Sequence, residues 1–427
     1  MKDKKAINFP KSIENFLLHL HPIKIDARAV KFTRTFGLGG ITALLFIILC
    51  VTGMVLRFSY VPSVAGAYDS ILALERETIF GHFLRNLHHW SAKLMIIVSF
   101  LHMVRVIYSM AIFKKRAENW IYGLVMMFFV VAASFTGYLL PWDQLAFWAV
   151  TVVTQIIEYI PFIGVPLADM VRGSSTVDEQ TLLNFYTLHT GILPLLFIVL
   201  MSMHFWLIRK AGGVALPKIE KPEKVNVNPN LIWIEIMAAA IVIAALFLTS
   251  AFYHAPLLEE ANPLVSPNPS KAPWYFLGAQ ELLLHLHPVF GAVLVPLAVT
   301  AFFVYLPFFR VKNLNVGVWF NSPLGKQITI QSSIVSFVFT FVLIYLLDHF
   351  LHFQLWFTSW PMWISNGILP FLAYMLPMGA YVYFWKAKKQ AENTEILLAC
   401  TSILLSSYLS MLFISLLLRG EGMTLIF

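Results

Sequence analysis

Residues 85–108 read RNLHHWSAKLMIIVSFLHMVRVIY, and residues 185–210 read FYTLHTGILPLLFIVLMSMHFWLIRK. Each is long and apolar enough to cross a hydrocarbon core as a helix, and each carries a histidine near either end. His88 and His102 are 14 residues apart, about 3.9 helical turns and roughly 21 Å of rise, so they share a face at two depths. His189 and His204 are 15 apart, which overshoots a common face by about 60°. Pro194, between them, is expected to kink that helix and re-aim one end. If both stretches cross in the same direction, the four imidazoles form two pairs at two levels. A pair on facing helices makes a bis-imidazole site for a planar macrocycle, and neutral imidazole suits haem iron as an axial ligand. A lone intramembrane histidine is as often a hydrogen-bonded structural residue. Four at matched depths favour ligation, because ionisable groups inside a membrane are rare and usually functional.

Glycines repeat the interval. Gly39 and Gly53 are 14 apart, as are Gly123 and Gly137. Glycine lets a bulky planar ligand approach the backbone. Small-residue helix packing in membranes also uses glycine, but it does not require the histidines' interval. Arg85 and Arg105 each lie three residues from a histidine, in place to pair with haem propionates.

The rest of the chain fits a bilayer. Of 427 residues, 59% are hydrophobic and 12% charged, against about 25% charged in soluble domains. Nine nearly uncharged stretches stand out: 41–56, 94–104, 121–140, 192–208, 231–252, 289–309, 330–347, 367–385 and 396–418. The net charge of +8 does not indicate nucleic acid. Lys and Arg cluster before residue 35 and in 105–116, 209–224, 310–326 and 386–389, on alternate sides of successive spans. The acids, among them Asp69, Glu75, Asp143, Glu158, Asp178, Glu259 and Glu260, occupy the opposite loops. By the positive-inside rule the N-terminus is cytoplasmic; that face is called n and the other p. No cleavable leader is expected in the polar, basic residues 1–34. Cys50 and Cys400 lie in different spans and suggest neither a disulfide nor a thiolate metal site.

The expected fold is an all-α membrane protein of about nine transmembrane helices. Residues 1–34 form a cytoplasmic segment, 35–210 a four-helix haem-binding bundle, 211–229 a linker, and 230–427 a C-terminal helical domain. Two long p-side loops, 141–180 and 253–288, exceed ordinary connection lengths, which favours a function for them. Apolar pieces around 145–163 read as short helices along the membrane surface.

LHHWSA, TGYLLPWDQ, RGSSTVD, FYTLHT and MHFWLIRK resemble segments of the cytochrome b of quinol-oxidising cytochrome bc complexes, chloroplast type, over residues 30–215. The 15-residue spacing of His189 and His204 is the chloroplast-type pattern. NPSKAPWYFLGAQELL resembles the family's p-side quinol-site motif, so the chain looks like a fusion of that cytochrome b with a subunit-IV-like second block. The resemblance implies two haem b groups held by His88, His102, His189 and His204, and quinol and quinone as substrates. It implies a quinol:cytochrome c-type oxidoreductase with a Rieske iron–sulfur protein, a c-type cytochrome and further membrane subunits as partners. It also implies a dimeric complex in a bacterial inner membrane and contact with membrane lipid.

Departures from the family pattern are specific. Gly37 stands where the chloroplast type has a cysteine that anchors an extra haem covalently. Pro273, in Ala272-Pro273-Trp274-Tyr275, stands where the motif usually has Glu. Tyr275, Asp143 and Glu281 are therefore the catalytic candidates, and burial is expected to raise the Glu281 carboxyl so that it can cycle protons. Arg209 aligns with an arginine near the n-side quinone. His19, His21, Lys24 and Arg28 border the same face, whereas His285, His287, His349 and His352 lie toward the p face. The ninth span extends beyond the usual eight, either facing lipid or docking another subunit. Two other readings remain: a di-haem membrane anchor of a dehydrogenase or reductase without quinol bifurcation, and a proton-coupled transporter using intramembrane histidines.

Overall fold

The computed structural model describes residues 22–426; His19 and His21 lie outside them. Among the described residues, nine helices are long and apolar enough to cross a membrane. In chain order the helices are α1 (Leu38–Leu56), α2 (Ala67–Arg76), α3 (Gly81–Tyr108), α4 (Ala117–Leu139), α5 (Gln144–Ile157), α6 (Gly164–Arg172) and α7 (Glu179–Lys210). Then follow α8 (Val227–Phe252), α9 (Leu277–His285), α10 (Val289–Phe308), α11 (Pro323–His349), α12 (Ile364–Ala387) and α13 (Asn393–Leu417). All nine apolar stretches become helices. Some run well past their apolar core: α3 extends from Gly81 to Tyr108 because its polar ends continue the helix. The short helices expected near 145–163 are α5 and α6.

The chain divides into two compact units. The first comprises residues 1–140, 185–257 and 315–318. In it α1 packs on α3, α4 on α7 and α8 on α3. The sequence places α8 with the C-terminal block; its packing joins it to the bundle instead. The stretch 211–229, read as a linker, is also tied down. Lys24–Asp26 (β1) pairs antiparallel with Lys224–Asn226 (β2), with Ile25 opposite Val225. Arg28 donates from Nη1 to the Pro217 carbonyl at 3.0 Å and pairs with Asp26. Entry into α1 turns on Gly37, whose φ of +65° is left-handed backbone that glycine adopts without strain.

The helix carrying His189 and His204 is not a simple kinked helix. Its residues Leu188–Ile192 form a π-helical turn, two residues before Pro194. Proline lacks an N–H and crowds the carbonyl four residues back. A π turn accommodates both by inserting one residue into the helix. The same arrangement recurs where Val289–Leu294 precedes Pro296 and Ile364–Ile368 precedes Pro370.

The second unit comprises residues 141–184, 258–314 and 319–427. Its principal packing is α11 against α13, with α9 and α12 also against α13. The ninth span is thus the most buried of the nine. Its serines explain the fit. Ser406 and Ser410 donate to the Ser333 and Phe337 carbonyls at 2.6 and 2.9 Å. Thr340 donates to Ser407 at 2.9 Å, and Tyr374 shares a 2.6 Å hydrogen bond with the same hydroxyl. Small residues let helix backbones approach, and each interhelical bond adds roughly 0.6 kcal/mol in a bilayer.

Candidate functional site

In the first unit the four helices α1, α3, α4 and α7 bring the four histidines together in two pairs. The rings of His88 and His189 have centroids 6.1 Å apart at 75°, and those of His102 and His204 lie 6.5 Å apart at 73°. Two imidazoles bound to one metal through bonds of about 2 Å place their centroids roughly 6 Å apart. Both pairs therefore have the separation of a shared iron. The π turn at Leu188–Ile192 absorbs the fifteenth residue between His189 and His204, so both rings on α7 meet their partners on α3.

The outer nitrogens of His88 and His189 are held. Thr52 Oγ1 lies 2.8 Å from His88 Nδ1, and the Ala133 carbonyl lies 2.9 Å from His189 Nδ1. A carbonyl can only accept, so Nδ1 of His189 carries its proton and Nε2 is left with its lone pair, the form a metal ligand would need. Each glycine faces a histidine. A Cβ at Gly39 would meet His102 Cε1 at 3.3 Å, and one at Gly53 would meet His88 Cε1 at 3.2 Å. At Gly123 the nearest atom is His204 Cε1 at 3.7 Å, and at Gly137 it is His189 Cε1 at 2.5 Å. The nearest neighbours of the glycines are thus the imidazoles themselves. Their shared interval with the histidines follows for three of the four, where the ring needs a missing side chain on the helix behind it; at Gly123 a Cβ would make only ordinary contact.

That geometry ranks the substitutions. Gly137→Ala should displace His189 and sharply reduce the haem band of that level, whereas Gly123→Ala should leave its level nearly intact. Redox difference spectra of the two variants check the order; equal loss in both would contradict it.

Arg85 lies on the same helix as His88 and has protein partners of its own. Its guanidinium pairs with Glu75 and donates to the Ala255 and Pro256 carbonyls at 2.9 and 2.8 Å. It fastens the end of α8 to α3, and a propionate would have to compete with those partners. Arg105 is buried and donates from Nε to the Arg34 carbonyl at 2.9 Å. Arg209 lies exposed at the end of α7. His82 and His254, which sequence reasoning missed, meet ring to ring with Nε2 2.5 Å from Nδ1. They lie 172 positions apart, so no local pattern announces them.

In the second unit, Asp143 caps α5 by accepting from Ala146 N at 2.9 Å and also accepts from Leu258 N at 3.3 Å. Gln144 accepts from Asn262 N at 2.5 Å. The PWDQ segment thereby stitches the two long loops together. The carbonyl of Tyr275 accepts from Tyr408 of α13. Glu281 is fully buried and ion-paired. Arg419, just beyond α13, donates from Nε to both carboxylate oxygens at 3.2 Å and contacts Oε1 again through Nη2. Burial alone would raise the Glu281 carboxyl. Hydrogen bonds from His285 and Arg419 and the Arg419 charge outweigh it and hold the carboxyl below its ordinary value. The expected upward shift is thus reversed. The physical reason is a cation 138 positions away.

Residues 26–212 match the family model described as cytochrome b/b6/petB. Haem b binding goes with that family. Among solved structures, one titled "Hyperthermophilic respiratory Complex III" aligns over 95% of this chain and 96% of its own, with 24% identity and a TM-score of 0.67. At that identity the likeness extends to the fold.

Proposed function

We propose, taking residues 26–212 as a cytochrome b domain, that the chain is the di-haem cytochrome b subunit of a quinol-oxidising membrane complex. The observation that carries this is the two imidazole pairs, 6.1 and 6.5 Å apart, each ring backed by a glycine. His88 with His189 would hold one haem b, and His102 with His204 the other. When bound, these groups supply one-electron redox centres at two depths. The protein supplies the rest. Thr52 and the Ala133 carbonyl orient two of the rings. The apolar helices exclude water, and Arg34, Arg105 and Arg116 near the His102 level favour an anionic substituent.

In this reading the N-terminus is cytoplasmic, in a bacterial inner membrane. Quinol is oxidised at the p face near Trp274 and Tyr275. One electron leaves to a Rieske iron–sulfur protein and onward to a c-type cytochrome. The other crosses to a quinone at the n face, near Arg209. Two haem levels and two long, mutually fastened p-side loops support this over a plain di-haem anchor. The test is addition of reduced quinol to membranes containing the chain, followed by spectroscopy. Reduction of b-type haem is expected. A purified chain without haem absorbance would overturn the proposal and leave the transporter reading.

A covalently attached haem is not expected, because Gly37 offers no thiol. Denaturing electrophoresis with haem staining should give no band at 48.6 kDa; a stained band there would refute it.

A further inference from the structure

In the second unit, the segment 268–281 is held by the ninth helix and the residues that follow it. Tyr408, in the second half of α13, donates its hydroxyl to the Tyr275 carbonyl at 2.5 Å. Its ring lies against Gly278, where an added Cβ would meet Tyr408 Cε2 at 2.7 Å and Cζ at 2.9 Å. Further on, Arg419 pairs with Glu281 of α9 and with Asp348 of α11. Beyond it the chain folds back. Gly420 N donates to the Thr424 carbonyl and Ile426 N to the Leu418 carbonyl, both at 2.9 Å. That turn presents Gly422 N to Asn268 Oδ1 at 2.7 Å. Asn268, Tyr275 with Gly278, and Glu281 thus all take partners from residues 408–422.

The segment is also fastened to itself. Gln280 of α9 accepts from Ala272 N at 2.8 Å and donates to the Ser270 carbonyl at 2.7 Å. So α9 holds the turn ahead of it, and α13 holds α9. Trp274–Phe276 is a single 3-10 turn leading into α9. Rotating the peptide that follows Tyr275 would re-aim the side chains on either side of it. A hydroxyl bonded to that one carbonyl opposes the rotation. Gly278 is the matching part, because a side chain there would push the Tyr408 ring away from the carbonyl. The hydrogen bond is therefore lost in two independent ways, by removing the hydroxyl or by enlarging the glycine.

We propose that Tyr408 is a positioning residue for quinol, holding the Tyr275 carbonyl so that the Trp274–Tyr275 segment keeps the shape that receives the quinol ring. This rests on the p-side quinol site proposed above. The ninth helix is then an internal brace for that site, and Arg419 and Gly422 fasten the ends of the same segment. A segment already ordered need not be ordered by its ligand, and binding is tighter by that amount. Loss of the brace should weaken quinol binding and leave the electron-transfer step of bound quinol nearly unchanged.

The experiment measures quinol-dependent reduction of added cytochrome c by membranes containing the whole complex. Decylubiquinol and a short-chain menaquinol serve as probes, and haem spectra check assembly. Tyr408→Phe should raise KM for quinol about fivefold, the scale of one net hydrogen bond, with kcat and the haem spectra near wild type. Gly278→Ala should raise KM at least as much. Combining it with Tyr408→Phe should add little, because both changes break the same bond. A purely structural role would act otherwise. It would leave fewer assembled complexes, lowering kcat and haem content together without moving KM. A wild-type KM in Tyr408→Phe overturns the inference while the quinol site stands. Tyr408→Phe keeps the ring and removes one oxygen, so it decides the matter even if Gly278→Ala fails to assemble. A wild-type complex that oxidises neither quinol would overturn the quinol site itself, and the inference with it.

Discussion

His102→Ala is expected to abolish one of two b-haem bands while sparing most of the other. His102 faces His204, with its ring 6.5 Å from that partner. The other level uses a different pair, held from different backbone neighbours, Thr52 and Ala133. The levels are separated by 14 residues of α3, roughly 21 Å of helix, so a lost ligand at one should leave the other's geometry unchanged. Low-temperature redox spectra of membranes, with His88→Ala as the reciprocal variant, read the result. Unchanged haem content in His102→Ala would remove His102 from the ligand set.

Glu281→Ala is expected to destabilise the second unit by about 3 kcal/mol, the low end for breaking a buried ion pair, because Arg419 keeps Asp348 at 2.8 Å. Arg419 has a side chain 3% exposed and loses its bidentate partner. The pH dependence has a defined sign. The carboxyl lies below its ordinary value in the folded protein, so its contribution is present at neutral pH and lost only as pH falls through that lowered value. The gap between wild type and variant should therefore be constant from neutral pH downward until the ordinary carboxylate range, then narrow in stronger acid. Thermal unfolding of the purified protein at several pH values measures it. A variant as stable as wild type at pH 7 would mean that the Glu281–Arg419 pair contributes nothing to the fold.

Much of the site could be read from the sequence, because helix periodicity converts interval into face and depth. The pairs of His88 with His189 and His102 with His204, and the glycines opposite them, all follow from that single conversion. The extra residue in α7 was visible as a mismatch, and Pro194 pointed to the right place. The mechanism, a π turn rather than a kink, depends on how the backbone relieves the proline and has no local signature. The charged residues were less legible. Arg85 sits one turn from His88, yet its partners are Glu75 and two carbonyls 170 and 171 positions away. Glu281 gave no sign of Arg419, although a solitary arginine following the last apolar span was the available hint. The burial of α13 was also hidden, since its serines look like a polar interruption until α11 is placed against them.

The central claim is two haem sites on one chain, each formed by a histidine from α3 and one from α7. Its most direct test is the haem-to-protein ratio of the purified protein, from the pyridine haemochrome spectrum and quantitative amino-acid analysis, with His88→Ala and His102→Ala alongside. Two non-covalent b-type haems per chain are expected in the wild type and one in each variant. A wild-type ratio of one or none, or a ratio unaffected by both substitutions, would contradict it.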